Sequence, residues 1–416
     1  MQGDSPEKRA GVRPPDGPFG WIPTLAASAN SMFIFGASNS YGVFSTYYLN
    51  DRFAGTSAAT LSWIGSLITI SMFSLNALTG ALADRRGYRT TAYIGTALCS
   101  SAYILASFST KVWQLMLTQG LLFGVGASFL LAPTNSIAPQ WFHRHRGLAS
   151  GVAIAGSSLG GMWFTAATQA AMDHLGFAWS LRILGIVTLV VTGTMNLLYF
   201  QRVPMPPRKR IFELQVARRL TFWLIALELL TAYTGHWAVV FYVGTAARQM
   251  GGSAQDGSRL LLVLNAANVV GRILAGFIAD RFGSINTLVV SLLLTAIVEM
   301  SLWLSACSMA SLYALCVFYG LVSSTFISLN PVIVAAHFSS SPLSSVMGMT
   351  NIFSGLGGLL GNLSQGAIFD RLDKHMHLTN TIIFSGIATL LSAVVALALR
   401  AHLIRSGSSK RFLQKI

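Results

Sequence analysis

Long apolar runs, broken by short polar stretches, set the pattern of this chain. A helix needs about 20 apolar residues to cross the hydrocarbon of a bilayer. By that measure the runs predict twelve helical spans, near 20–49, 59–82, 90–108, 112–139, 147–172, 179–200, 221–250, 259–279, 285–305, 311–335, 344–369 and 380–403. The expected architecture is an all-α integral membrane protein. The first apolar run is far too long for a cleaved signal peptide.

A polar motif recurs between the spans. Gly80-Ala-Leu-Ala-Asp84-Arg85-Arg86-Gly87 follows the second span, and Gly276-Phe-Ile-Ala-Asp280-Arg281-Phe282-Gly283 follows the eighth. Glycines repeat at nearly the same offset. Gly151 and Gly160-Gly161 in span 5 answer to Gly348 and Gly357-Gly358 in span 11, and Gly120 to Pro133 in span 4 answers to Gly320 to Pro331 in span 10. A single glycine can be ordinary close packing between membrane helices. A shared offset predicts two pseudo-symmetric six-helix halves, as in carriers whose central site lies between two rocking repeats.

The expected organisation is a tail over 1–19, one bundle over 20–200, a proline-rich basic linker over 201–220, a second bundle over 221–403 and a basic tail over 404–416. Composition agrees with a membrane chain: 53% of the 416 residues are hydrophobic and 10% charged, against about 25% charged in soluble proteins. The net charge of +15 is unevenly spread. The segments expected outside hold only Arg52, Lys111, Arg248, Arg259, Arg371 and Lys374, while Arg182 and Arg272 fall within spans. This skew follows the positive-inside rule and predicts both termini in the cytosol. The charge therefore reads as topology and lipid contact, with the bilayer as partner and no nucleic acid. Cys99, Cys307 and Cys316 have no metal-ligand spacing or evident disulfide partner.

The paired Asp-Arg loops on twelve spans resemble the major facilitator superfamily. Two further stretches resemble its monocarboxylate-porter family. Pro15-Asp16-Gly17-Pro18-Phe19-Gly20-Trp21 is similar to the D-G-x-x-G-W lead into that family's first helix. The run from Trp141 through Arg144, His145, Arg146 and Gly147 to Gly160 is similar to its basic aromatic loop and L-A-x-G-x-A-x-A-G-x-x-x-G helix, with His145 where a second Arg is usual. Tyr41-Gly-Val-Phe, Ser62-Trp63-Ile64-Gly65-Ser66 and the short tails look closest to the fungal branch.

Arg272 is the most informative single residue. An arginine deep in a span costs about 2.5–3.5 kcal/mol on insertion scales, so it faces a wet cavity or a partner. Its planar guanidinium matches a carboxylate, and the resemblance aligns the family's carboxylate-binding Arg on this position. A structural Arg bonded to backbone carbonyls is the competing reading. Two departures alter the implied proton–lactate chemistry: Asn268 stands where proton-coupled animal members have Asp, and Asn39 where they have Lys. An amide does not carry a proton on and off.

The half-to-half offset superposes Val43-Phe44 on Val240-Phe241 and sets His236 opposite Asn39. His236 is a proton acceptor or substrate donor by its chemistry, and Glu228 is the alternative proton site. Glu299, near the outer end of span 9, reads as interfacial. Further cavity candidates are Phe35, Tyr41, Ser157, Ser158, Asn330 and Asn351, then Trp237, Tyr242 and Tyr319 as ring partners, with Asn76 and Asn135 weaker. The resemblance implies that Asp84 and Asp280, each followed by Arg85 or Arg281, bond neighbouring helix ends and hold the cytosolic side shut.

No nucleophile–base pair, metal motif or phosphate loop is visible, so an enzyme or ATP-driven pump is not expected, and no cofactor. The expected function is secondary or facilitative transport of a small, monocarboxylate-like organic anion, with Arg272 on the carboxylate. The alternatives are a carrier or exporter of a larger aromatic metabolite, charged or neutral, such as a riboflavin-like compound or a secondary metabolite, or a non-transporting nutrient sensor. The plasma membrane is the default location, and an accessory membrane subunit stays open.

Overall fold

The computed structural model describes residues 14–48, 52–53, 56, 58–202, 214–338, 342–373 and 377–406. The described residues are helical throughout their length, apart from short turns, and contain no strand. The main helices are α1 Trp21–Tyr47, α2 Ala58–Ser74, α3 Asn76–Arg86, α4 Tyr88–Ala106, α5 Val112–Trp141 and α6 Arg146–Asn196. After a short helix at Leu214–Ala217 come α7 Leu220–Gln249, α8 Ala254–Phe282, α9 Ser284–Trp303, α10 Met309–His337, α11 Leu343–Arg371 and α12 Thr379–Arg405.

Eight of these are long and apolar enough to cross a membrane, or nine with the bent pair around Leu75 counted as one span. Two differences from the sequence reading have local causes. The second expected span bends by 45° between Trp63–Ser74 and Asn76–Arg86. The fifth and sixth join without an intervening loop, because Gly176 takes φ 75° and turns the chain inside one continuous helical stretch. Most of the expected linker, 203–213, lies outside the described residues, as do 1–13 and 407–416 of the tails.

The burial pattern is that of a membrane bundle. Trp63, Trp113, Trp163, Trp179 and Trp223 are among many large apolar side chains turned outward, whereas Asn76, Ser128, Thr134, Glu228, Arg272 and Glu299 are buried. Lipid accepts the first set, and the interior must satisfy the second. Pro133, Pro139 and Pro331 sit inside helices, tolerated where neighbouring helices re-satisfy the freed carbonyls.

Small residues let the helices touch. A Cβ on Gly36 of α1 would come within 2.9 Å of Gly160 in α6. On the second half, Gly357 and Gly361 of α11 lie against the backbone of Leu230 and Thr234 in α7. Across the halves, Gly147 meets Gly276, and Gly80 meets Ser344. The two Asp-Arg motifs end alike: Gly87 and Gly283 take φ 92° and 93° and start the next helix immediately. A left-handed residue there favours glycine, which is why the motif closes on one.

Candidate substrate cavity and its closing face

Where the halves meet, a cavity of about 90 Å³ is lined by α1, α2, α6, α7, α8 and α10. Five of its polar groups are residues singled out from sequence: Asn39, Ser157, His236, Asn268 and Arg272. Ser158, Phe35 and Trp237 also line it, with Asn265, Phe73 and Tyr233 among the rest of the wall. Asn265, Asn268 and Arg272 share one face of α8 at i, i+3 and i+7, so the helical period brings them together. That spacing was readable in the sequence, and Asn265 is the residue it would have added.

Arg272 is 6% exposed. Its Nη1 donates to the carbonyl of Ile154, 2.9 Å away, and to the hydroxyl of Ser157, while Nε donates to Ser324 at 3.1 Å. Ser324 in turn donates to Asn268 Oδ1 at 2.6 Å. No described carboxylate lies in ion-pair range of Arg272, and Nη2 makes no bond to a described residue. The cavity thus holds one guanidinium without an anion, oriented by both halves of the chain. Ser324 and the Ile154 carbonyl carried no sequence signal, because they meet Arg272 only in the fold.

His236 stands in a ring of aromatics. Tyr233 and Phe326 meet it edge-on with centroids at 6.5 and 5.4 Å, Trp237 at 5.3 Å, and Tyr319 stacks at 6.3 Å. Its Nδ1 is buried with no partner among the described residues. Tyr319 does not line the cavity; its hydroxyl donates to the carbonyl of His236 at 2.8 Å and so supports α7 from behind.

A second, smaller space of about 20 Å³ lies across a wall shared with the first, formed by Phe35, Phe73, Tyr233 and Ile327. It gathers Asn135, Asn330, Asn351 and Ser354. Asn351 donates to Asn76 at 2.9 Å, whereas the Asn330 amide makes no described bond, and its buried Oδ1 is unpartnered. A space of this size holds about one water-sized group.

Other sequence candidates fall elsewhere. Tyr41 donates its hydroxyl to the Leu61 carbonyl at 2.6 Å, outside both spaces. Tyr242 packs on Phe369. Glu228 faces α12, where the hydroxyl of Ser392 donates to it at 3.4 Å, and it is likewise off the cavity. Glu299 corrects the interfacial expectation. It is 0% exposed, and its two carboxyl oxygens accept from Ser385 at 2.9 Å and Thr389 at 3.0 Å on α12. The reason is helical phase: Glu299 continues the buried i, i+3, i+7 face of α9 set by Leu292 and Thr295.

The Asp-Arg loops lie together on one face, called here the closing face. Asp84 accepts the backbone N–H and the hydroxyl of Ser345, both at 2.8 Å, at the start of α11. Asp280 accepts the backbone N–H groups of Gly147 and Leu148, at 2.7 and 2.8 Å, at the start of α6. Each carboxylate reaches from one half to a helix N-terminus of the other, where unpaired N–H groups and the helix dipole favour an anion. Beside Asp84, Arg85 is exposed, and Asp84 has no ion pair among the described residues; Arg281 lies over the Phe277 ring at 4.3 Å.

The sequence profile of the Major Facilitator Superfamily matches residues 26–362, with a further match over 229–413. Among curated relatives, the MFS transporter asaE of Aspergillus flavus is 30% identical over 408 residues, covering 97% of this chain and 91% of that protein. The agnestins efflux protein AgnL12 of Paecilomyces divaricatus is 30% identical over 407 residues, covering 97% and 93%. Among solved structures, the proton:xylose symporter XylE superposes with a TM-score of 0.77 at 14% identity, covering 91% of this chain and 95% of that one. The helical fold, the paired loops that tie its halves and the match along nearly its whole length converge: the chain belongs to the Major Facilitator Superfamily and is an integral membrane transporter.

Proposed function

We infer that this transporter carries organic acids with an aromatic or otherwise flat apolar body, and that it works as an exporter. The observation that carries this reading is Arg272: a buried guanidinium facing the cavity with no carboxylate partner among the described residues. An unpaired buried charge is costly, and an anionic ligand removes that cost. Phe35, Phe73, Tyr233 and Trp237 supply flat apolar walls beside it, the composition typical of small-molecule sites. The amide-lined space beyond the wall suits one hydroxyl or carbonyl of the same ligand.

The aromatic walls support a body larger than that of a short monocarboxylate, and the similarity to an agnestins efflux protein supports outward transport of such a molecule. His236 is the proton acceptor of choice in this reading, because it lines the cavity and Glu228 does not. Asp84 and Asp280 act as latches of a closed face, here taken as cytosolic, with both chain termini on that side and twelve crossings in all. The halves then rock about the cavity in alternating access.

Exchange of labelled benzoate by purified protein in liposomes tests the reading, with lactate and benzyl alcohol as the small-acid and neutral comparisons. Benzoate is expected to exchange faster than either, and Arg272→Gln to abolish the difference between acid and alcohol. Equal rates for acid and alcohol in the wild type, unchanged by Arg272→Gln, would sink it.

A further inference from the structure

The lead into α1 has no part in the roles above, yet its carboxylate is unusually well held. Asp16 is the one described non-glycine residue with positive φ, at 60°. Asp and Asn tolerate that left-handed conformation better than other residues. It folds the side chain back over the turn between α5 and α6. There Oδ1 accepts the backbone N–H groups of His143, Arg144 and His145 at 3.1, 2.9 and 3.2 Å, and Oδ2 accepts Arg144 again at 3.1 Å.

The lead is anchored on both sides of that contact. The Asp16 N–H donates to the carbonyl of Trp141 at 3.0 Å. Phe19 packs on Trp141 and Phe200 with ring centroids at 5.7 and 5.6 Å, and Trp21 packs on Phe142 at 4.9 Å. All of these partners belong to the first half of the chain.

Two residues further along the same turn, the N–H groups of Gly147 and Leu148 go to Asp280 of the second half. Between the two sets, Arg146 donates Nε to the Phe142 carbonyl at 3.0 Å. Five N–H groups of one turn are therefore shared between two carboxylates, one from each half. A helix start leaves its first N–H groups without intrahelical partners, and successive groups point about 100° apart. The direction in which Gly147 and Leu148 donate thus depends on how residues 143–145 are fixed.

We propose that Asp16 is a positioning residue of the closing face: by fixing the turn at 143–145 it aims the start of α6 at Asp280 and sets the strength of the latch between halves. The proposal rests on the latch reading of Asp280 and extends it to a segment that touches only its own half.

The test uses the full chain in liposomes with Cys307→Ser, which removes the exposed cysteine, and Ser354→Cys as reporter. Ser354 lines the small space beyond the aromatic wall and is 1% exposed in this closed arrangement. The rate of its labelling by a membrane-impermeant maleimide reads opening of the closing face. Asp16→Asn keeps the left-handed preference while removing the charge and one acceptor oxygen.

Labelling is expected to rise several-fold in Asp16→Asn and in Asp280→Asn, with the double variant no faster than the faster single one, since both act on one latch. A wild-type labelling rate in Asp16→Asn with a rise in Asp280→Asn overturns the role of Asp16 alone. A wild-type rate in Asp280→Asn overturns the latch reading with it. Multiplying effects in the double variant, or a lowered thermal midpoint with unchanged labelling, also overturn the proposal. Should Asp16→Asn fail to fold, Asp16→Gly takes the same φ without strain and carries the same comparison.

Discussion

The guanidinium of Arg272, in the second half of the chain, donates to the carbonyl of Ile154 in the first, 2.9 Å away. The cavity cation is thus shared by both halves. In the proposed alternating access, rocking apart must break that bond, and an anion on the remaining face of the guanidinium would change what breaking it costs. On that reading, ligand binding and the movement of the halves are coupled through this residue.

Arg272→Lys keeps the charge but loses the planar fork that reaches Ile154, Ser157 and Ser324 together. A hydrogen bond to a charged group contributes about 1.5–3 kcal/mol. The affinity for an aromatic acid is expected to fall by at least about tenfold, measured by quenching of Trp237 fluorescence. An affinity equal to that of the wild type would show that the fork is not used. The assay has its own control, because Trp237→Phe should remove the cavity signal.

Close packing of α1 on α6 makes a second prediction. Gly36→Ala places a methyl 2.9 Å from the Gly160 backbone and closer still to the Phe164 ring, at 2.6 Å. Overpacking of this kind costs about 1–3 kcal/mol, so the thermal midpoint in detergent should drop by several degrees. Gly366→Ala, with nothing within 4 Å of the new methyl, should leave it unchanged or raise it slightly.

At the closing face, Ser345 offers Asp84 both a backbone N–H and a hydroxyl. Ser345→Ala removes only the hydroxyl and should loosen the face less than Asp84→Asn. Maleimide labelling of the Ser354→Cys reporter distinguishes the two. Equal effects would place the whole contribution in the hydroxyl.

Acid should release two loop carboxylates late. Burial pushes the Asp373 carboxyl up, but the hydroxyl and N–H of Thr381 and the two donors of Asn380 outweigh it and hold the carboxyl below its ordinary range. Asp16 behaves alike: burial raises it, and the N–H groups of His145, Arg144 and His143 bring it below. A carboxyl depressed in the folded state contributes stability above its unfolded value, near pH 3.9, which is lost as pH falls through the folded value. The thermal midpoint should therefore drop below about pH 4 and change less steeply in Asp373→Asn. An unaltered acid slope in that variant would remove Asp373 from the account.

Much of this protein is legible from its chain. Apolar runs of membrane length, glycines and Asp-Arg loops at a shared offset, and an arginine deep in span 8 are local or periodic features. The bilayer's demand that backbone groups pair within a segment converts them directly into helices. The same offset set His236 opposite Asn39, and both line the cavity. What the chain alone did not reveal depends on partners distant in sequence. Glu299 meets Ser385 and Thr389 of α12, Glu228 meets Ser392 rather than the cavity, and Tyr41 is claimed by a neighbouring carbonyl. Arg272 finds Ile154 and Ser324, and Asp16 finds the turn at 143–145, across 118, 52 and more than 120 residues of chain. Sequence determined which groups were too polar to face lipid. The tertiary structure decided which other group each of them meets, because that choice is made by the packing of separate helices.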